Sequence, residues 1–335
     1  MSEYAVGIDI GGTKIAAGVV DGQAHILSRC ETKEHSGQPP AVVIEAVVRA
    51  FQAVLQAAGM ERDDLVGVGV GFAGHTNGRE GLVLTSSNLP AWDRMPLRDV
   101  LSGRLGVPVV LDNDCNAAAL AEHRYGAGRE SRHMVYVVFS TGVGAGIIID
   151  GHLYRGHTGT AGEVGHTVVD VDGRMCSCGK RGCLMAWVCG MALAELAGER
   201  IRAGEDTLLR EMAGGDLGSI NGEMVAHAAR RRDRVARELI QLTGKYLGVG
   251  LSTVVQVLNP EVIVIGGGLA HMGSLLMDPC LQALRENVHP VLADSALIVP
   301  SHFGEDVGIV GGAALVLPDP WSVKRTTAAP VPKKE

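Results

Sequence analysis

Aromatic residues are scarce in this 335-residue chain, with three Trp, five Tyr and four Phe. So few rings argue against a stacking platform for single-stranded nucleic acid. Basic residues are outnumbered, 30 Lys and Arg against 37 Asp and Glu, for a net charge of −7. A DNA-binding domain shows a basic face instead, so no nucleic-acid partner is expected. The run Arg230-Arg231-Arg232 is balanced by Asp233 and Glu238 and reads as a solvated helix face. No uninterrupted apolar run reaches 18 residues, so no membrane span is expected. The N-terminus opens on a strand pattern, Tyr4-Ala5-Val6-Gly7-Ile8, without a basic segment leading into a long apolar one. No signal peptide is expected, and the expected setting is the cytoplasm. There, seven cysteines point to a metal or free thiols before disulfides.

Glycine is abundant instead: 46 residues without a collagen-like period, so the glycines serve local turns and close backbone approaches. With 46% hydrophobic and 20% charged residues the composition is globular. At roughly 100–200 residues per domain, the length allows two or three domains.

Strand and helix patterns alternate. Tyr4–Ile10 and Ile15–Val20 read as strands, followed by a two-residue turn at Asp21-Gly22 and a strand near His25–Glu31. Pro40–Ala58 has helical spacing of apolar residues. Val66–Gly71 and Val109–Asp112 read as buried strands and Asn116–Tyr125 as a helix. Met134–Phe139 and Ile147–Asp150 read as strands around a glycine turn over Thr141–Gly146, and Asp150-Gly151 closes the unit. This repeats the grammar of the N-terminus, a weak internal duplication. Ala192–Arg202, Met224–Ser252 and Gly308–Leu317 read as helices, Val262–Ile265 as a strand, and 318–335 as a frayed tail.

Four segments carry chemistry. Asp9, Gly11, Gly12, Thr13 and Lys14 lie between two strands, where glycines bring backbone N–H groups to an anion and Asp9 can orient a magnesium-bound water; the alternative is a plain hairpin. Thr141 and Gly142 open a second such turn, and the pair suggests ATP held between two lobes. Gly266, Gly267 and Gly268 end a strand and admit a flat nucleoside, or else pack a helix entry tightly on the sheet. Asp112-Asn113-Asp114 with Asn116 crowds polar groups at a strand's carboxyl end, where open α/β sheets bind ligands and a carboxylate can take a hydroxyl proton; the alternative is helix capping.

The sharpest feature is His166-x9-Cys176-x-Cys178-x4-Cys183. One imidazole and three thiolates within 18 residues match a closed tetrahedral zinc site, structural rather than catalytic because no position stays open. The alternative is a set of thiols that happen to fall close together. Cys30, Cys115, Cys189 and Cys280 lack such spacing and read as buried free thiols.

Asp9-Ile10-Gly11-Gly12-Thr13-Lys14, Asp112-Asn113-Asp114-Cys115-Asn116, Ser140–Gly146, Glu163-Val164-Gly165-His166 and the three-cysteine cluster occur in this order. Together they resemble the ROK family (repressors, open reading frames and kinases) of the actin-like ATPase superfamily, over residues 4 to 317. The resemblance implies an α/β fold of two actin-like lobes, built from duplicated ribonuclease H-like domains, with an interlobe cleft and a zinc loop over 166–183. The smaller lobe would be 1–120, completed by the helix 308–317, and the larger 121–307. It implies an ATP-dependent sugar kinase, with magnesium accompanying the ATP. Asp114 would be the general base. Asn113, Gly74, His75 and Ser87 would bind the sugar, as would Glu163 and His166 near its first carbons. Asp9 and Gly11–Lys14 would meet phosphates and magnesium, Thr141 and Gly142 would face them, and Gly266–Gly268 would meet the nucleoside.

The family usually continues Gly-Cys-x-Glu at the last cysteine, with that Glu on the sugar; here Gly182-Cys183-Leu184 is followed by Met185. The common Gly-x-Pro-Gly turn reads Gly71-Phe72-Ala73-Gly74. Glucose phosphorylated at its 6-hydroxyl is the leading expectation. An N-acetylhexosamine, mannose, fructose or a sugar-like cyclitol remain alternatives, as does a non-catalytic sugar-binding regulator. The family's repressors carry a winged helix-turn-helix before the Asp-x-Gly-Gly-Thr segment; with eight residues before Asp9, no such domain is expected here. A homodimer or homotetramer is the assembly the resemblance implies.

Overall fold

The computed structural model describes residues 3–33, 36–86, 89 and 91–320. Ser87 and most of the tail expected over 318–335 lie outside the described residues. Two five-stranded sheets share one strand order. In the first, β1 (Tyr4–Ile10), β2 (Ile15–Asp21), β3 (Ile26–Thr32), β4 (Leu65–Phe72) and β8 (Val109–Asn113) run β3-β2-β1-β4-β8. In the second, β9 (Met134–Phe139), β10 (Val143–Ile149), β11 (His152–Tyr154), β12 (Val262–Gly266) and β13 (Leu297–Pro300) run β11-β10-β9-β12-β13. Third, second, first, fourth, fifth is the order in both, so the duplication read from the sequence is present in the topology.

The chain divides into two compact units. The first comprises residues 1–132, 146–161 and 301–335, the second residues 133–145 and 162–300. In the first unit β1 runs antiparallel to β2 and parallel to β4, and β4 runs parallel to β8. Its sheet is covered on both faces, which the alternation along β4 explains. Val68, Val70 and Phe72 join a core with Val6, Ile8 and Ile10, the helix α1 (Pro40–Ala58) and the helix α2 (Leu97–Leu105). Gly67, Gly69 and Gly71 turn the other way. There α10 (Val307–Ala314) lies so close that a Cβ on Gly69 would stand 1.8 Å from the Gly312 carbonyl oxygen, and one on Gly7 1.8 Å from that of Ile309. The long apolar α1 is a core helix, with Val43, Val47, Phe51 and Val54 buried. Pro40 sits at its first position and Gly59, at φ 64°, ends it in the left-handed conformation.

Three short antiparallel strands, β5 (His75–Asn77), β6 (Leu82–Thr85) and β7 (Asp93–Met95), form a small sheet that the sequence reading did not anticipate. The expected two-residue turn at Asp21-Gly22 is a longer loop, Gly22–His25, closed by the His25 N–H on the Asp21 carboxylate, with Ala24 at φ 67°. Asp150-Gly151, by contrast, is a two-residue hairpin turn with φ of 51° and 77°.

In the second unit β12 lies parallel to both β9 and β13. The helices are α4 (Met185–Val188), α5 (Gly190–Arg202), α6 (Leu208–Met212), α7 (Gly222–Arg230), α8 (Arg234–Leu258) and α9 (Ser274–Asn287). The single helix expected over Met224–Ser252 is therefore two. Arg232 takes φ 67° and Asp233 caps α8 through the Ala236 N–H. Arg230 thus ends α7, and Arg231 and Arg232 form a corner rather than a continued helix face. The glycine turn expected over Thr141–Gly146 is shorter, since Val143 already begins β10. Cys30 is half-buried, not buried, while Cys115, Cys189 and Cys280 are buried.

Candidate active site

In the first unit Asp9, Gly71 and Asp112 stand in register across three parallel strands. Gly71 contributes no side chain, and a Cβ there would lie 3.4 Å from Cα of Asp114. Asp9 points at the start of α10, where a Cβ on Gly308 would meet its Oδ2 at 2.5 Å. Burial pushes the Asp9 carboxyl up to about 7; the Asp114 charge adds to the rise and Lys14 opposes it. Asp9, near the end of β1, thus feels the charge of Asp114, the residue that follows β8. Gly11–Lys14 forms the β1–β2 turn, closed by the Gly11 N–H on the Lys14 carbonyl at 3.0 Å. The Lys14 ammonium bonds Glu31 at 3.1 Å.

α3 (Asp114–Arg124) begins at once after β8. Asn113 caps it, accepting from the N–H groups of Cys115 and Asn116, and its Nδ2 donates to the Gly74 carbonyl at 3.1 Å. Capping was the alternative reading of this segment, and Asn113 does cap. The same bond to Gly74 brings the Asn113, Asp114 and Gly74 positions together, with His75 starting β5 beside them.

Asp112 is 2% exposed. Its Oδ1 accepts from Asn116 Nδ2 at 2.8 Å and its Oδ2 from Arg155 Nε at 2.7 Å. Arg155 escaped the sequence reading, because nothing in the spacing pairs two residues 43 positions apart.

In the second unit Gly190 N–H bonds the Ser140 carbonyl at 2.8 Å beside the Thr141–Gly142 turn, and a Cβ on Gly142 would lie 3.8 Å from Sδ of Met185. Of the glycine triplet, two members are explained by packing. A Cβ on Gly266 would strike the Tyr136 hydroxyl and one on Gly267, at φ 90°, the Phe139 carbonyl. Only Gly268 opens on free space.

Glu163–His166 is pinned to β10: a Cβ on Gly162 would meet the Ala145 carbonyl at 2.0 Å and one on Gly165 that of Val143 at 2.4 Å. Nδ1 of His166 lies 3.8 Å from Sγ of Cys176, and Sγ of Cys178 lies 3.7 Å from that of Cys183. All four donor atoms fall within 4.8 Å of one another. Bonds of about 2.3 Å from sulfur to a tetrahedral zinc would separate two sulfurs by about 3.8 Å, so these residues fit that ion. Burial, then the neighbouring thiols, pushes Cys183 up to about 12, while the Lys180 N–H above all lowers Cys178. A divalent cation reverses such a rise by taking the thiolate.

A model of the ROK family matches residues 5–318. A glucokinase of Streptomyces coelicolor is 35% identical over 323 residues, 94% of this chain and 98% of its own. The crystal structure of a ROK family glucokinase from Streptomyces griseus in complex with glucose and AMPPNP superimposes with a TM-score of 0.82 at 34% identity, covering 93% of this chain and 99% of that one. The xylose repressor of Bacillus spizizenii is 26% identical over 94% of this chain but 77% of its own length. With the duplicated α/β sheets, the ordered motifs and these likenesses in agreement over nearly every described residue, the chain belongs to the ROK family.

Proposed function

We propose that this chain is an ATP-dependent sugar kinase that transfers the γ-phosphoryl group to a hexose, with the 6-hydroxyl of glucose as the lead acceptor. The observation that carries the reading is the alignment of Asp9, Gly71 and Asp112 across the parallel strands β1, β4 and β8, with Asp114 opening the helix that follows β8. A kinase of this kind needs one carboxylate on the magnesium side and one on the acceptor hydroxyl. Asp114 takes the proton as the hydroxyl oxygen attacks phosphorus and the bond to ADP breaks. Asn113 and Gly74 hold the sugar, with His75, Glu163 and His166 as further contacts. In the first unit Asp9 and the Gly11–Lys14 turn meet magnesium and phosphate. In the second, Thr141 and Gly142 meet phosphate, and Gly268, freest of its triplet, meets the nucleoside.

His166, Cys176, Cys178 and Cys183 would hold a structural zinc, which supplies a rigid charge at the back of a sugar-binding histidine. A reducing cytoplasm suits free thiolates of this kind. The glucokinase relatives support the activity, and so does the likeness to a ROK family glucokinase structure holding glucose and AMPPNP. Met185, packed with Cys176, Cys183 and Ala186, gives a second substrate reading. An apolar side chain in place of the usual carboxylate would suit a sugar that offers it a methyl group, such as the acetamido methyl of an N-acetylhexosamine. Mannose, fructose and a cyclitol complete the panel. ADP release with magnesium and ATP over that panel tests the reading; turnover with none of them would reject it.

A further inference from the structure

Three features of the first unit converge on Arg155. Its Nε donates to Oδ2 of Asp112, a carboxylate withdrawn almost wholly from water. The other oxygen of that carboxylate accepts from Asn116 Nδ2 and from the Asn113 backbone N–H, both at 2.8 Å. Asp112 is thus fastened to the first turn of α3 and to the peptide that leads into Asp114. Arg155 also begins a closed loop: the Ala161 N–H bonds the Arg155 carbonyl at 3.1 Å, and Gly156 and Gly159 turn it at φ 70° and 92°. A Cβ on Gly159 would lie 3.2 Å from the Thr76 carbonyl, so the loop rests on β5, next in line to His75.

The arrangement has a directional logic. Oδ2 of Asp112 needs a cationic donor, since a buried carboxylate left unpaired is costly. The donor comes from the loop rather than from the strand or helix that Asp112 already serves. The pair therefore ties two separate backbone segments together. A guanidinium fixes its partner's plane better than an ammonium does.

Resting on the kinase reading above, we infer that Arg155 is a positioning residue: through Asp112 it fixes the strand end that carries Asn113 and Asp114, and it holds the 155–161 loop in register with β5. Asp114 remains the group that meets the hydroxyl. Arg155 acts by keeping that carboxylate and its neighbour where an acceptor can be held.

The test uses Arg155→Met, Arg155→Lys and the double variant Asp112→Asn/Arg155→Met of the full chain. The double variant removes both charges and guards against simple unfolding. Arg155→Met is expected to lower kcat/KM for the sugar by about 10–100-fold while KM for ATP stays within about twofold, since a small misplacement of reacting groups has effects of this size. Arg155→Lys is expected to recover part of the loss. Hydrogen exchange is expected to show faster exchange of amides 156–162 and 113–116 in Arg155→Met, with β1 and β2 unchanged. Unchanged exchange in those segments overturns the inference, as does a folded Arg155→Met with wild-type sugar kinetics. If the wild-type chain phosphorylates no sugar, the kinase reading falls, and hydrogen exchange still decides whether Arg155 holds the strand end and the loop.

Discussion

Nε2 of His166 lies 4.0 Å from the carboxylate of Glu163, while Nδ1 of the same ring faces Cys176. One imidazole therefore joins the cysteine cluster to a carboxylate in the Glu163–His166 turn. Whatever Nδ1 binds sets the angle at which Nε2 is offered.

The first prediction concerns that link. The chain purified without chelator is expected to carry one zinc per monomer by elemental mass spectrometry. Cys178→Ser, which removes one of the four ligands, or removal of the metal, is expected to raise KM for the sugar by about 10–100-fold, because His166 loses the partner that orients its ring. KM for ATP should hardly move. A metal-free chain with full sugar affinity would refute this.

A second prediction follows from Asp9. Its carboxyl rises from 3.8 to about 7 in the fold. The folded chain therefore holds that proton more tightly than the unfolded chain. Stability of the ligand-free protein should fall as pH rises from about 4 to 7 on this account, then level off. Asp9→Asn should remove the fall and stabilise the ligand-free protein at pH 8 by on the order of 2–4 kcal/mol. It should also reduce turnover. Urea midpoints at pH 5 and pH 8, without magnesium or nucleotide, measure this; a destabilised Asp9→Asn at pH 8 would contradict it.

The third prediction tests the close approach of α10 to the first sheet. Gly69→Ala would press a methyl group onto the Gly312 carbonyl and should destabilise by about 3 kcal/mol or more. Gly103→Ala, in α2 with nothing within 4 Å of the new methyl group, should instead stabilise by about 0.5–1 kcal/mol. Thermal melts of the two variants should move in opposite directions.

Much of this was legible from residue order. The strand–turn–strand repeat reappears as two sheets of one topology, and α1 begins and ends on the expected residues. The metal-ligand spacing brings four donors together, because glycines at 179 and 182 let the loop fold on itself. The rest depends on long-range packing. β4 reads as an apolar strand, but that its glycines admit a helix while Val68 and Val70 meet another core shows only in three dimensions. Strands as short and polar as His75–Asn77 and Asp93–Met95 carry too few residues to display a period. The break between α7 and α8 hides in residues that favour helices, and Arg155 meets Asp112 without any local motif.

The most direct test of the account is the fate of the phosphate. With magnesium, ATP and glucose, phosphorus and carbon NMR should show glucose 6-phosphate, and Asp114→Ala should lower kcat by at least about 100-fold while still binding glucose in calorimetry. A product phosphorylated elsewhere on the ring would correct the acceptor. Sugar phosphorylation that survives Asp114→Ala undiminished would contradict the central claim that Asp114 takes the proton.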